Sequence, residues 1–176
     1  GIDKVGGKVI YLIPNNSNII LSAEQARDIS DREIIVIPSK SVPQGIAAML
    51  AFNEEASKEE NEENMIEAIG SVIDASVTYA VRDTTINGKE IHKDDIIGIA
   101  SKDIISSGKT VFDVVTETVD KLMDEDISLV TLFYGEDVSE EDAEVVREAI
   151  EEKYPDIDID VIEGDQPIYY YIISLE

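Results

Sequence analysis

Two short polar stretches carry the side chains best suited to holding something. Pro14-Asn15-Asn16-Ser17-Asn18 places three asparagines in four positions, and an amide side chain donates and accepts at once. One asparagine is enough to cap a helix, because its short side chain accepts from the first free N–H groups. The others leave amides for a polar ligand or for a partner's backbone. The second stretch is Ser39-Lys40-Ser41, with Gln44 three residues on. A serine beside a lysine suggests a nucleophile and its base, but separations of one and two residues in a loop do not set the geometry that such a pair needs. Asn15, Asn16, Asn18, Ser39, Lys40, Ser41 and Gln44 therefore stand as binding candidates and not as catalytic ones. Arg82, at the end of an expected strand, is a further candidate, with a local ion pair to Asp83 as the plainer reading.

Other chemistries lack their residues. The chain has no cysteine and a single histidine, His92, which removes disulfides, thiolate metal sites and the histidine-based triads. It contains neither the Rossmann nor the P-loop glycine pattern. Carboxylates are abundant, but nothing in the sequence marks a pair of them as buried, so no general acid or base is assigned. Catalytic and metal-ligating residues are read as none. The chain reads as a domain that binds.

Thirty-nine Asp and Glu against fourteen Lys and Arg give a formal net charge of −25 at pH 7. Nucleic acid and anionic membranes are poor partners for such a surface. Acidic proteins are often merely soluble, and a salt-adapted host is another explanation. The sharper reading is a partner with a basic face, whose encounter the charge would speed. No run approaches the roughly 18–20 apolar residues of a membrane span, and no signal-peptide pattern opens the chain. The cysteine count fits a cytoplasmic protein.

Several elements must position these residues. Apolar runs predict strands at 8–13 and 34–38, each followed by a polar loop and then a helix, at 18–29 and 43–52. Strands apolar on both faces are normally parallel and covered on both sides. The two polar loops then lie at the same edge of the sheet, where open α/β folds place ligands. Pro43 suits a first helical position, with Ser41 or Val42 as the cap. Ser57 and Glu60 form a capping box for a helix to about Val72, burying Met65, Ile66, Ile69, Val72 and Ile73.

From Ala75 the period changes to two. Val77, Tyr79 and Val81 alternate with smaller or polar residues, Asn87-Gly88 signals a hairpin, and Ser101-Lys102-Asp103 marks a second turn, giving a β-meander over about 76–106. Thr110 with Asp113 opens a helix to about Met123, with Val111, Val114, Val115, Val119 and Leu122 inward. A strand follows at Leu129–Tyr134. Ser139 then caps a helix over 140–153 that buries Ala143, Val146 and Ile150. Asp156–Ile162 alternates strictly, as a strand near a sheet edge does, and a last strand covers Ile168–Leu175. The expected fold class is α/β: two small lobes, 1–74 and 75–176, with mixed, mainly parallel sheets flanked by helices. Strand–polar loop–helix recurs at 9–29, 34–52 and 129–153. The opening residues look cut within an element, Ile2 and Val5 reading as the tail of a helix, as in a piece of a longer protein.

Five blocks, IPNNSNIILSAEQA, VIPSKSVPQGIAAMLAFN, TYAVRDTTINGKEI, TLFYGEDVSEEDAE and DVIEGDQPIYYYIISLE, resemble the C-terminal region of bacterial fatty acid kinase A subunits, which are dihydroxyacetone kinase-like (Dak2) proteins. The blocks run from Ile13 to the end in family order. Pro-Asn-Asn, Val-Pro-Gln-Gly and Gly-Asp-Gln-Pro are the most specific, and the last makes Gln166 a candidate. The resemblance implies an N-terminal domain that binds ATP and Mg, and a middle domain with a Cys and His cluster for phosphoryl transfer. It implies a C-terminal domain that engages DegV-like fatty-acid-binding proteins, so that the acyl carboxylate becomes an acyl-phosphate for phospholipid metabolism. This chain has neither the nucleotide domain nor the cluster. The expectation is therefore no kinase activity and no cofactor of its own. Its expected partners are the carrier and the other domains of the same chain, with a homodimer left open, and its lobes would be DegV-like. The competing reading is a regulatory domain that senses a small polar metabolite or a lipid through Asn15, Asn16, Asn18 and the 39–44 loop.

Overall fold

The computed structural model describes residues 2–4, 6–86 and 89–176. Val5 and the Asn87-Gly88 turn lie outside the described residues. The chain divides into two units, Gly1–Val72 and Ile73–Glu176.

In the first unit, β1 (Val9–Leu12) and β2 (Glu33–Val36) pair in parallel, Val9 opposite Glu33 and Leu12 opposite Val36. Helix α1 (Ser17–Asp28) connects them and packs on β2. Ala23 of α1 buries against Ile10, Ile34 and Val36. A second cluster of Ile37, Ala48 and Met65, with Tyr11, Ile13, Ile35 and Ile69 around it, brings in α2 (Val42–Leu50) and α3 (Lys58–Ser71). Alternate β1 and β2 residues thus enter different clusters, as a sheet covered on both faces requires.

Helix α3 starts at the expected capping box, Ser57 Oγ accepting from Glu60 N at 3.1 Å. Its buried stripe differs from the expected one. Ile66 is exposed, and Asn61, 2% exposed, takes an inward place four residues before Met65. Asn61 is satisfied there: its amide donates to Asn53 O at 2.8 Å and its Oδ1 accepts from Asn53 N at 2.7 Å. A polar side chain that completes two bonds to a connecting segment costs little to bury. Ile73 does not extend this helix; it begins the next strand.

The second unit holds a six-stranded sheet in the order β7-β6-β3-β10-β8-β9. Strands β3 (Ile73–Tyr79), β6 (Ile96–Ala100) and β7 (Asp103–Gly108) form the antiparallel meander. A separate hairpin, β4 (Thr84–Ile86) with β5 (Lys89–Ile91), interrupts it. Ser101 and Lys102 take positive φ, 51° and 74°, in the turn from β6 to β7. Strand β8 (Leu129–Tyr134) pairs in parallel with β9 (Asp158–Glu163), which forms the sheet edge. The final strand, β10 (Tyr171–Leu175), slots antiparallel between β3 and β8.

Parallel pairing therefore holds for β1–β2 and β8–β9, and every other pairing among the described residues is antiparallel. The expectation of mainly parallel sheets is corrected on this point. A meander joined by tight turns can only be antiparallel, and β10 must reverse to lie between β3 and β8.

Helices α4 (Val111–Leu122) and α5 (Glu140–Lys153) cover one face. Helix α4 packs on β6, β7 and β3 and α5 on β8 and β9, so that Val114, Val115 and Val119 of α4 and Ala143, Val146 and Ile150 of α5 share one core with Tyr171, Ile173 and Leu175 of β10. Gly98 is the residue that lets α4 approach, since a Cβ there would lie 2.1 Å from both Ser106 Oγ and Thr118 Oγ1. Those hydroxyls, both buried, bond each other at 2.6 Å. On the other face Ile97 packs with Ala80 and with Ile91 of the hairpin. Of the expected alternating trio, Val77 is buried in β3, Tyr79 ends that strand partly exposed, and Val81 lies beyond it, open to solvent.

Candidate functional site

The polar loops of the first unit do meet at one sheet edge. Ser39, fully buried, donates from Oγ to the carbonyl of Pro14, and Ile37 N donates to Leu12 O at 3.0 Å. Most of the remaining polar groups serve the helices that start there. Asn16 is the cap of α1, its Oδ1 accepting from Asn18 N at 2.9 Å. Ser41 is the cap of α2, its Oγ accepting from Gln44 N at 3.4 Å, while Gln44 Oε1 accepts from Lys40 N at 2.8 Å. The helix begins at Val42, so Pro43 occupies its second position. Cap oxygens occupy the places where a bound ligand's oxygens would meet the first N–H groups of a helix. Asn15, Asn18 and Lys40 are exposed, and no hydrogen bond among the described residues holds their side chains in one direction. This edge is a well-built junction carrying three adaptable polar side chains.

Candidates in the second unit lie elsewhere. Arg82 is exposed, and no Arg82–Asp83 ion pair forms; Asp83 accepts from Lys93 N at 2.7 Å instead. His92 is exposed and its backbone N–H donates to Asp95 at 3.0 Å. Among the described residues, no group of three or more His, Cys, Asp or Glu side chains is placed to hold a metal ion.

Gln166 organises the loop that leads into α5. Its Nε2 donates to Phe133 O at 2.8 Å, and its carbonyl accepts from Glu136 N at 3.2 Å. Gly135 fits only as glycine, because a Cβ would lie 2.2 Å from Tyr169 O. This loop carries Asp137 and Val138 to a cavity of about 300 Å³, which α4 lines with Val111 and Phe112 and α5 with Val145. Tyr171 also lines it, and its hydroxyl is buried with no hydrogen-bond partner among the described residues. Burial, then the nearby Asp142 carboxylate and Tyr134, push the Tyr171 hydroxyl far above the ordinary tyrosine range. It stays a neutral donor at physiological pH. Sequence reasoning did not single out Tyr171 or Phe112. The usable signal was the third strand–loop–helix unit, whose loop follows β8 as the other two follow β1 and β2.

A family model for the C-terminal region of fatty acid kinase A-subunit-like proteins matches residues 1–176. The chain belongs to this family. It is 42% identical over 175 residues to protein YloV of Bacillus subtilis, covering 99% of this chain and 32% of that protein. An uncharacterized protein of Staphylococcus aureus strain USA300 is 42% identical over 169 residues, covering 96% of the chain and 31% of that protein. The chain thus spans about a third of the length of these curated relatives.

Among solved structures the domain is similar to the Streptococcus pneumoniae fatty acid kinase B3 protein loaded with linoleic acid. The TM-score is 0.68 at 14% identity, over 97% of this chain and 72% of that one. A DegV family protein from Corynebacterium glutamicum gives 0.67 at 12%, over 99% and 76%. DegV of Bacillus subtilis, a fatty acid binding protein, gives 0.61 at 17%, over 96% and 70%. The fold is that of the DegV family. The domain is one associated with fatty acid kinases, and no helix among its described residues is long and apolar enough to cross a membrane.

Proposed function

We propose that this domain is the non-catalytic C-terminal part of a fatty acid kinase and that it docks a DegV-like fatty-acid-binding protein. Docking presents the acyl carboxylate to the other domains of the same polypeptide, in the cytoplasm. There one carboxylate oxygen attacks the γ-phosphorus of ATP, the bond to the β-phosphate oxygen breaks, and acyl-phosphate and ADP result. ATP and Mg belong, in this reading, to domains outside this chain. The observation that carries it is the family match over the full 176 residues. The polar edge of the first unit is compatible with docking: Asn16 and Ser41 cap helices and Ser39 bonds backbone, while Asn15, Asn18 and Lys40 stay exposed. The net charge of −25 gives the partner a character: a basic face, attracted at long range.

Titration calorimetry of this chain against the DegV-family proteins of its host, at low and at high salt, tests the proposal. Binding at low salt that weakens steeply with added salt is the expected result. A folded chain that binds none of them at low salt would sink it. A second reading, lipid sensing, draws support from the apolar cavity at Tyr171. A thermal-shift screen of acyl lipids distinguishes the two, because a docking domain gains no stability from free lipid.

A further inference from the structure

Helix α2 has its side chains the wrong way round for a helix that serves only its own unit. The residues it buries are Pro43, Ala47 and Ala48. Its large apolar residues face water: Val42 is 41% exposed, Ile46 37%, Met49 66% and Leu50 80%. Their spacing of four, seven and eight residues from Val42 puts all four on one face. Phe52, 40% exposed, continues the patch just beyond the helix and meets Tyr11 edge-on at 5.3 Å between ring centroids. Single exposed hydrophobics are ordinary, but a contiguous apolar face marks a surface that another molecule covers.

The border of this face is acidic. Glu54 and Glu55 lie two and three residues beyond Phe52, and α3, which packs on α2, begins Lys58-Glu59-Glu60, with Lys58 paired to Glu33 and Glu59; Glu54, Glu55, Glu59 and Glu60 are all exposed. An apolar centre with a charged rim is the anatomy of a protein interface. The rim also chooses among occupants. A second copy of this chain would bring a like-charged rim against it, and an anionic lipid surface would be repelled. A protein presenting an apolar patch ringed by Lys or Arg fits both parts. We infer that the outer face of α2, with its acidic rim, is the surface that docks the fatty-acid carrier. The inference rests on the docking reading above and adds its location. Met49 at the centre suits such a surface, because an unbranched thioether adapts to more than one carrier.

The test uses this chain with each oleate-loaded DegV-family protein of the host, by titration calorimetry at low salt. Ile46→Glu and Leu50→Glu replace exposed side chains with a good helix former, and an unchanged thermal midpoint checks that the fold is kept. Each is expected to weaken binding by roughly 30-fold or more, as loss of a central apolar contact does. Glu54→Lys with Glu55→Lys is expected to slow association and flatten its salt dependence. Wild-type affinity in both glutamate variants overturns the assignment to α2 and leaves docking itself standing. Failure of the unaltered chain to bind any carrier overturns both. A dimer of the unaltered chain in light scattering that Leu50→Glu dissolves also overturns the assignment, giving the face to a second copy.

Discussion

Helices α2 and α5 occupy equivalent places in strand–loop–helix units, and each is opened by a serine cap, yet they sort their side chains in opposite ways. Helix α5 buries Ala143, Val146 and Ile150, leaves Val145 alone of its large apolar residues half-exposed at the cavity, and carries Glu and Asp on its outer side, with Arg147 bonded to Glu144 at 2.7 Å and Glu151 at 2.6 Å. Helix α2 buries alanines and leaves Ile46, Met49 and Leu50 to solvent. One helix is finished by its own sheet. The other is half of a contact. What differs is the burial available inside each unit. The six-stranded sheet offers α5 a broad apolar face on β8 and β9, continuous with the core of β10, whereas the two-stranded sheet offers α2 room only for small side chains against Ile37 and Met65.

The largest test of this contrast is a pair of truncations. Ile150→Ala is expected to cost about 2–5 kcal/mol, the range for emptying a buried aliphatic site. Leu50→Ala is expected to stay within about 0.5 kcal/mol, as surface substitutions do. Urea unfolding of both variants measures the difference. A large loss for Leu50→Ala would mean that the outer face of α2 already has a cover within the chain. Next in size is Gly135→Ala, in the loop that leads into α5. Its new Cβ would press on Tyr169 O and Gln166 O, and backbone oxygens cannot rotate away. A loss of about 1–3 kcal/mol is expected from such overpacking, again read from urea midpoints.

Local pattern made much of this fold legible before any coordinates. Strand Leu129–Tyr134 and helix α5, opened by the Ser139 cap, lie where the sequence places them. The Thr110 and Ser57 caps are also as read. What local pattern does not carry is the order of strands in a sheet. The last strand arrives from far along the chain to sit between β3 and β8, adding two antiparallel pairings to the three of the meander and the hairpin. Ile66 misled for a related reason: its apolarity argued for burial, but the inward stripe runs through Asn61, whose bonding partners sit in a loop. The candidate site divides in the same way. Asn16 and Ser41 stood out in the sequence and turned out to be engaged in caps, whereas Tyr171 looked like one more apolar strand residue.

The caps themselves sharpen the comparison at smaller scale. Ser139 Oγ accepts from Asp142 N at 3.1 Å and donates to Asp142 Oδ2 at 2.7 Å, while the Ser41 bond is long at 3.4 Å and Pro43 already fixes a helical φ. Ser139→Ala should therefore cost about 1 kcal/mol and Ser41→Ala no more than about half of that. Thermal midpoints of the two variants, measured side by side, decide it. Equal losses would mean that α2 depends on its cap as much as α5 does.

The smallest effect expected has the opposite sign. Tyr171 is fully buried, and its hydroxyl has no partner among the described residues, so removing that oxygen while keeping the ring should leave stability unchanged or raise it by up to about 1 kcal/mol. The pH dependence gives a separate readout. Burial first, then Asp142 and Tyr134, raise the folded-state pKa of Tyr171 above its unfolded value. Stability linked to that proton is fully present below about pH 10, the unfolded tyrosine value, and is lost as pH rises beyond it. Tyr171→Phe removes that share of the alkaline loss, leaving the shares of Tyr11, Tyr134 and Tyr154, which burial also raises. Urea unfolding at neutral and at strongly alkaline pH measures both. A variant clearly less stable than the parent at neutral pH would show that the hydroxyl is satisfied in solution, and the cavity beside α5 would then be as finished as the helix that lines it.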